Sequence, residues 1–209
     1  GTERVIADWV RARPGVVESV PAPRLEPALS GFARMARLRN ALCEHFERAS
    51  STDFVAVIDG DLEGPISLEG LAHAVALMAE PRGPDAVAAL GVNNWLGFPL
   101  LVPFVGYGYY DPIAFRERGW ERTLADAQVR YRLAGLRRGD EPLPVKSAFA
   151  GLALYRAASF NGLRYDESTD DCEHVGFHRA LAERGGQLVL DPSLMLLAGR
   201  QGHHRSRPT

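Results

Sequence analysis

Apolar residues along the chain recur at two spacings, and the two alternate. Val5, Ile6, Trp9 and Val10 lie at helical intervals and stop at Pro14-Gly15, which predicts a short first helix. Val16 to Val20 reads as a brief strand before the turn at Pro21 and Pro23. Ser30 then caps a long helix through Phe46, with Phe32, Met35, Leu38, Leu42 and Phe46 on one face. The run from Asp53 to Asp59 is rich in Val, Ile and Phe and predicts a buried strand that ends in carboxylates. Ser67 starts a helix with Leu71, Val75, Leu77 and Met78 on its apolar face, and Ala86 to Val92 is the next strand.

Beyond Val92 the pattern loosens. Asn93 to Gly97 reads as a loop, Leu100 to Val105 as a strand or strand pair, and Gly106 to Pro112 as an aromatic turn. A helix is expected from about Glu121 to Leu136, and a strand from Ser147 to Tyr155 with Gly151 inside it. Asn161 to Asp166 is a turn, Thr169 starts a helix through Glu183, and Gln187 to Leu190 is a final strand closed by Asp191-Pro192. This alternation predicts one α/β domain with a mainly parallel sheet. Residues 1–92 form its first half, 93–198 its second, and 199–209 a polar tail.

Composition narrows the function classes. The chain has 209 residues, 46% hydrophobic and 24% charged, which suits one globular domain with a real core. A net charge of -2 offers no basic field for nucleic acid. Cys43 and Cys172 are too far apart in sequence for a metal or redox motif, so a reduced, cytoplasmic protein is the expectation, with a peripheral membrane location also open. No apolar run reaches the ~20 residues of a membrane helix.

The chemistry begins at Asp59-Gly60-Asp61. Ligands bind beyond the carboxyl ends of strands in open α/β sheets, and two carboxylates there make a seat for a hard divalent cation. Capping of the next helix is the plainer role for the same residues. Asp170, Asp171 and Glu173 form a second acidic group at a helix start, suited to taking a proton or merely to complementing the helix dipole. His174 and His178 have a metal-ligating spacing, but with no third ligand nearby a solvent-facing or packed pair is the stronger reading.

Arg39-Asn40, the apolar strand and Asp59-Gly60-Asp61-Leu62 together resemble the first half of a GT-A glycosyltransferase, in which an Arg-Asn helix precedes a strand ending in D-x-D. Gly151-Leu152-Ala153-Leu154-Tyr155-Arg156 and Gly162 to Glu167 are similar to the acceptor-side strand and loop of those enzymes. Asp170-Asp171-Cys172-Glu173 resembles the E-D-x-D/E helix of family-two-like members, with Asp170 standing where Glu is usual. The turn Tyr109-Tyr110-Asp111 is also similar to fungal capsule-type mannosyltransferases. Gly1-Thr2 resembles the end of the segment that follows the family's first strand, so that strand is expected upstream of Gly1.

The resemblance implies a Rossmann-like GT-A fold and metal-dependent transfer from a nucleoside-diphosphate sugar to a glycan or metabolite hydroxyl, with inversion at the sugar carbon. It implies Mn²⁺ or Mg²⁺ on Asp61, with Asp59 on the ribose or on the metal through water, and His203 as a further metal ligand. Arg39 and Gly151 would serve the donor, and Asp171, or failing it Glu173, would be the general base. Trp95, Tyr107, Tyr109 and Tyr110 could stack on a sugar or a lipid acceptor. A retaining enzyme of the same fold is an alternative, as is a non-catalytic sugar-binding relative. A haloacid-dehalogenase-type phosphatase is a further one, drawing on Asp59, Lys146 and Asp170-Asp171, although Glu63 stands where that family wants a small residue.

Overall fold

The computed structural model describes residues 2–49, 52–62, 64–94, 107–117, 119, 126–133 and 135–199. The ordering of its strands follows from where the apolar faces go. Helix α1 (Thr2–Ala12) is followed by a long α2 (Gly31–Ala49), strand β1 (Phe54–Ile58), α3 (Leu68–Ala79) and β2 (Ala86–Asn94). Then come β3 (Tyr107–Tyr109), a 3₁₀ turn (Pro112–Ala114), α4 (Asp126–Leu133) and β4 (Leu143–Val145). Strand β5 (Leu152–Arg156), the short α5 (Ala157–Phe160), α6 (Glu173–Glu183) and β6 (Leu188–Gly199) complete the order.

The six strands form one sheet in the order β1-β5-β2-β6-β4, with β3 paired to β2. Side chains alternate across it with period two. Ala86, Ala88 and Leu90 of β2 and Ala153 and Tyr155 of β5 point to a core shared with Ala36 and Cys43 of α2 and Val175, Phe177 and Leu181 of α6. Val87, Ala89, Leu152 and Leu154 face the other way, onto Ala74 and Met78 of α3 and Leu194 and Leu196 of β6. Helices therefore cover both faces. Three Ala residues in β2 are fully buried, where larger side chains would push the layers apart.

The sheet is mainly antiparallel, which corrects the expectation of a mainly parallel one. Only the β2–β6 pairing is parallel among the described strands. Strand β5 inserts between β1 and β2 and runs against both, and β4 runs against β6. Alternation of strand and helix suggested a series of parallel crossovers. It does not reveal that β5 enters the sheet from the opposite end.

Several boundaries also move. Val16 to Val20 forms no strand. The strand expected from Ser147 begins only at Leu152, because Ala150 (φ 53°) and Gly151 (φ 86°) turn in left-handed conformation. Part of the aromatic turn is strand β3, and β4 had no counterpart in the pattern. The helix expected from Thr169 begins at Glu173: the Thr169 hydroxyl accepts the Asp171 N–H at 3.0 Å, closing a local turn instead. Strand β6 continues through Pro192. The β2 register jumps from Ala89↔Asp191 to Leu90↔Met195, so proline lies in a bulge where it owes no ladder bond. The expected strand at Leu100 to Val105 lies outside the described residues.

Both predicted helix caps form. The Ser30 hydroxyl accepts the Ala33 N–H at 3.1 Å and the Ser67 hydroxyl accepts the Gly70 N–H at 3.0 Å. Asn40 then ties α2 to the loop after α5: its amide nitrogen donates to the Tyr165 carbonyl at 3.0 Å and its amide oxygen accepts the Tyr165 N–H at 2.8 Å. That clasp seats the start of α6 beside α2 and the end of β1.

Candidate functional site

The end of β1, the middle of α2 and the start of α6 converge on a cleft of about 620 Å³. It is lined by Arg39, Asp59, Asp61, Tyr110, Asp111 and Glu173, among others. Arg39 is the hinge of the arrangement. Its terminal nitrogen donates to Asp59 Oδ1 at 2.9 Å and its Nε donates to Glu173 Oε1 at 3.1 Å. Its guanidinium also lies 5.0 Å from the Phe149 ring centroid and 5.9 Å from that of Tyr165. Two residues far apart in sequence, Asp59 and Glu173, are thereby held on one planar cation, a task that suits Arg rather than Lys.

Asp61 and Asp170 are solvent-exposed residues of the same cleft. Gly151 serves the site without lining it. Its carbonyl accepts the Asp59 N–H at 2.9 Å, fixing the end of β1, and a Cβ there would meet Leu62 at 2.9 Å. Asp171 does not line the cleft. Its two oxygens accept from one Arg116 nitrogen at 2.8 and 3.0 Å, and Oδ1 also accepts the Cys172 N–H at 2.7 Å. The expected general base is thus a carboxylate already engaged by a fully buried guanidinium. Glu173 is buried and engaged by Arg39.

Asp111 is the residue that pattern reading passes over. It sits between β3 and the 3₁₀ turn with φ 63° and ψ 52°. Burial, followed by the charges of Glu173 and Asp59, pushes its carboxyl up to about 7, with Arg39 and the Ala150 N–H opposing. Tyr110 beside it is pushed up to about 12 by burial and by Asp59, Asp61 and Asp111, so its phenol remains a neutral donor at ordinary pH. In the sequence this spot is marked by the Tyr109-Tyr110-Asp111 similarity and by the pairing of Asp with a following Pro, which signals a turn and gives Asp111 no role of its own.

His174 and His178 are packed, as their spacing on α6 allowed. They stack on each other with centroids 5.9 Å apart. His178 lies between the Ser147 hydroxyl at 3.0 Å and the Tyr155 hydroxyl at 2.9 Å, and burial pushes it down to about 3. His174 stacks 3.7 Å from Phe149, lines the cleft, and neither of its ring nitrogens has a hydrogen-bond partner. Its Nε2 is 3.6 Å from Glu173 Oε1, too long for a hydrogen bond. Tyr109 is buried against Phe115, with centroids 5.9 Å apart, so of the two turn tyrosines whose side chains are described only Tyr110 reaches the cleft.

Among the described residues, no group of three or more His, Cys, Asp or Glu side chains is arranged to hold a metal ion. Asp59 and Asp61 alone do not make a cage. A pair of carboxylates does suit Mg²⁺ or Mn²⁺ arriving with phosphates, because such ions complete their shell with water and phosphate oxygens. His203 and Trp95 lie outside the described residues. Lys146 lines a separate cavity of about 280 Å³ with His178 and Leu181, away from Asp59, so the lysine a phosphatase of the dehalogenase type would need is not at this cleft. No helix among the described residues is long and apolar enough to cross a membrane.

Compared with models of known protein families the chain matches none, and comparison with curated protein sequences finds no match.

Proposed function

We propose that the chain is a GT-A-type glycosyltransferase. It transfers a sugar from a nucleoside-diphosphate sugar to a hydroxyl of a glycan or small metabolite, in one inverting displacement. The observation that carries this reading is the Arg39 bridge, which joins the D-x-D end of β1 to the acidic start of α6 in one cleft. A two-substrate reaction needs such a junction, which sets a donor seat beside the surface that receives the acceptor.

The charge of the cleft supports a cation-dependent donor. Arg39 faces Asp59, Asp61, Asp111, Asp170 and Glu173, so a bare diphosphate would meet a net negative field. Asp61 and Asp59 would hold Mn²⁺ or Mg²⁺, which supplies Lewis-acid neutralisation of the leaving diphosphate. Arg39 and the Tyr110 phenol present donors to donor-sugar oxygens, while Phe32, Met35 and Phe149 give the cleft its apolar surface.

Calorimetric titration of UDP and GDP tests the reading. Binding is expected with Mn²⁺, absent with EDTA, and weakened at least tenfold in Asp61→Ala. Release of phosphate from p-nitrophenyl phosphate, with no nucleotide binding under either condition, overturns it in favour of a phosphatase.

A further inference from the structure

Resting on the glycosyl-transfer reading, we propose that Asp111 is the general base that receives the acceptor hydroxyl proton, the role expected of Asp171.

Three features of the cleft carry this. First, its carboxylates differ in what neutralises them. Asp171 is engaged by Arg116, and Asp59 and Glu173 by Arg39. An ion-paired carboxylate is a poor proton acceptor because its charge is already stabilised. Asp61, Asp170 and Asp111 line the cleft with no ion pair among the described residues, and of these three only Asp111 is sheltered from solvent, the other two being exposed. The charged groups that face it are Glu173 of α6, Asp59 of β1 and Arg39 of α2, with the Ala150 N–H beside them.

Second, the cleft holds a polar side chain that awaits a partner. His174 is 1% exposed, lines the cleft and has both ring nitrogens unpartnered. A buried imidazole with no protein partner is costly unless a ligand supplies one. A sugar or acceptor hydroxyl has the required donor and acceptor character.

Third, backbone strain is concentrated here. Among the described residues only Asp111 and Ala150 are non-glycines with positive φ. Such conformations persist where the surroundings over-determine them, and they gather at functional sites.

In the step itself, the acceptor oxygen forms a bond to the sugar carbon as the bond from that carbon to the diphosphate oxygen breaks. The diphosphate leaves with the bonding electron pair, and the acceptor proton passes to an Asp111 carboxylate oxygen.

Water can replace the acceptor, so release of UDP or GDP from a panel of UDP- and GDP-hexoses is a sufficient assay for the 209-residue chain. Asp111→Asn and Asp111→Gly both tolerate the left-handed backbone. Each is expected to lower the rate about 100-fold or more, with UDP or GDP affinity within about threefold of wild type and the melting temperature not lowered. Formate added to the Gly variant is expected to restore at least tenfold of the loss, which a structural role would not allow. A rate within threefold of wild type in Asp111→Asn, loss of nucleotide binding in that variant, or no formate rescue overturns the assignment alone. A wild-type protein that binds neither nucleotide, or turns over no donor, overturns the glycosyl-transfer reading and this assignment with it.

Discussion

At the scale of single residues, Arg39 contributes more than charge. It neutralises Asp59 and Glu173, and its guanidinium lies close to the rings of Phe149 and Tyr165. Its own pKa is raised through its interactions with Tyr165 and Asp59 even though burial opposes the charge. Removing it leaves a buried Glu173 with no cation, a loss that costs about 3–5 kcal/mol when a buried pair is broken. Arg39→Ala should therefore lose about 3 kcal/mol in urea unfolding. Arg39→Lys should recover less than half of that, because a single ammonium cannot reach both carboxylates in one plane. Equal stability of the Lys variant and wild type would show that charge alone holds the junction. The motif Arg39-Asn40 and the strand-ending Asp59 were legible in the sequence because each is a local pattern. Asp111 was legible only as part of the turn Tyr109-Tyr110-Asp111, since its left-handed backbone and its place in the cleft are set by neighbours distant in sequence. Asp171 looked prominent for the opposite reason: three acidic residues in a row of four stand out in the sequence, but the Arg116 that engages it is distant along the chain.

At the scale of elements, β2 governs the cleft without entering its lining. Gly91 lies where a Cβ would sit 2.6 Å from the Ala150 carbonyl oxygen and 2.9 Å from the Ala150 Cβ, with Tyr110 Cβ at 3.3 Å. Its own carbonyl accepts the Tyr110 N–H at 2.9 Å. The strand thus holds the two left-handed positions in place from below. Gly91→Ala must displace both the turn at Ala150 and the one at Tyr110. Overpacking of this kind costs about 1–3 kcal/mol, and the rate of donor hydrolysis should fall at least tenfold while far-ultraviolet circular dichroism stays native. Unchanged hydrolysis would mean that the two turns are adjustable. The caps at Ser30 and Ser67 and the apolar face of α3 were legible because capping and helical periodicity are chemistry between near neighbours, whereas on α2 the expected Met35 and Leu42 are exposed and Ala36 and Cys43 meet the core. The insertion of β5 between β1 and β2 was not, because period-two alternation reads the same whether a strand pairs parallel or antiparallel. The shift of the α6 start to Glu173 came from Thr169 and Asp171 bonding their own backbone, a local competitor that the acidic run concealed.

At the scale of the whole molecule, the buried titratable groups pull stability in opposite directions with pH. His178 is pushed down to about 3 by burial, and His174 is also lowered, by burial and then by Arg39 and His178. Both remain neutral in the folded protein and bind protons once unfolded below about pH 6.5, so their stability contribution is lost as pH falls. Asp111 acts the other way. It keeps its proton in the folded state up to about 7 but releases it on unfolding above 3.8, so it withdraws stability as pH rises through that interval. Below pH 6.5 unfolding then takes up protons at the two imidazoles, while above 3.8 it releases one at Asp111. Asp111 alone withdraws about 1.4 kcal/mol per pH unit in this interval, the value of one proton. Above about pH 9 the raised thiols of Cys43 and Cys172 should turn the curve downward, since unfolding then releases protons. Removing the Asp111 carboxyl takes away the opposing contribution. Asp111→Asn should therefore steepen the slope below pH 6.5 by about 1.4 kcal/mol per unit, and it should be more stable than wild type at pH 7.5, where wild type must keep a carboxylate in a negative cleft. Urea-unfolding free energies measured from pH 4 to 9 on both proteins decide the matter. Parallel curves would show that Asp111 titrates as an ordinary surface carboxyl, and the cleft would then hold no carboxyl tuned by its surroundings.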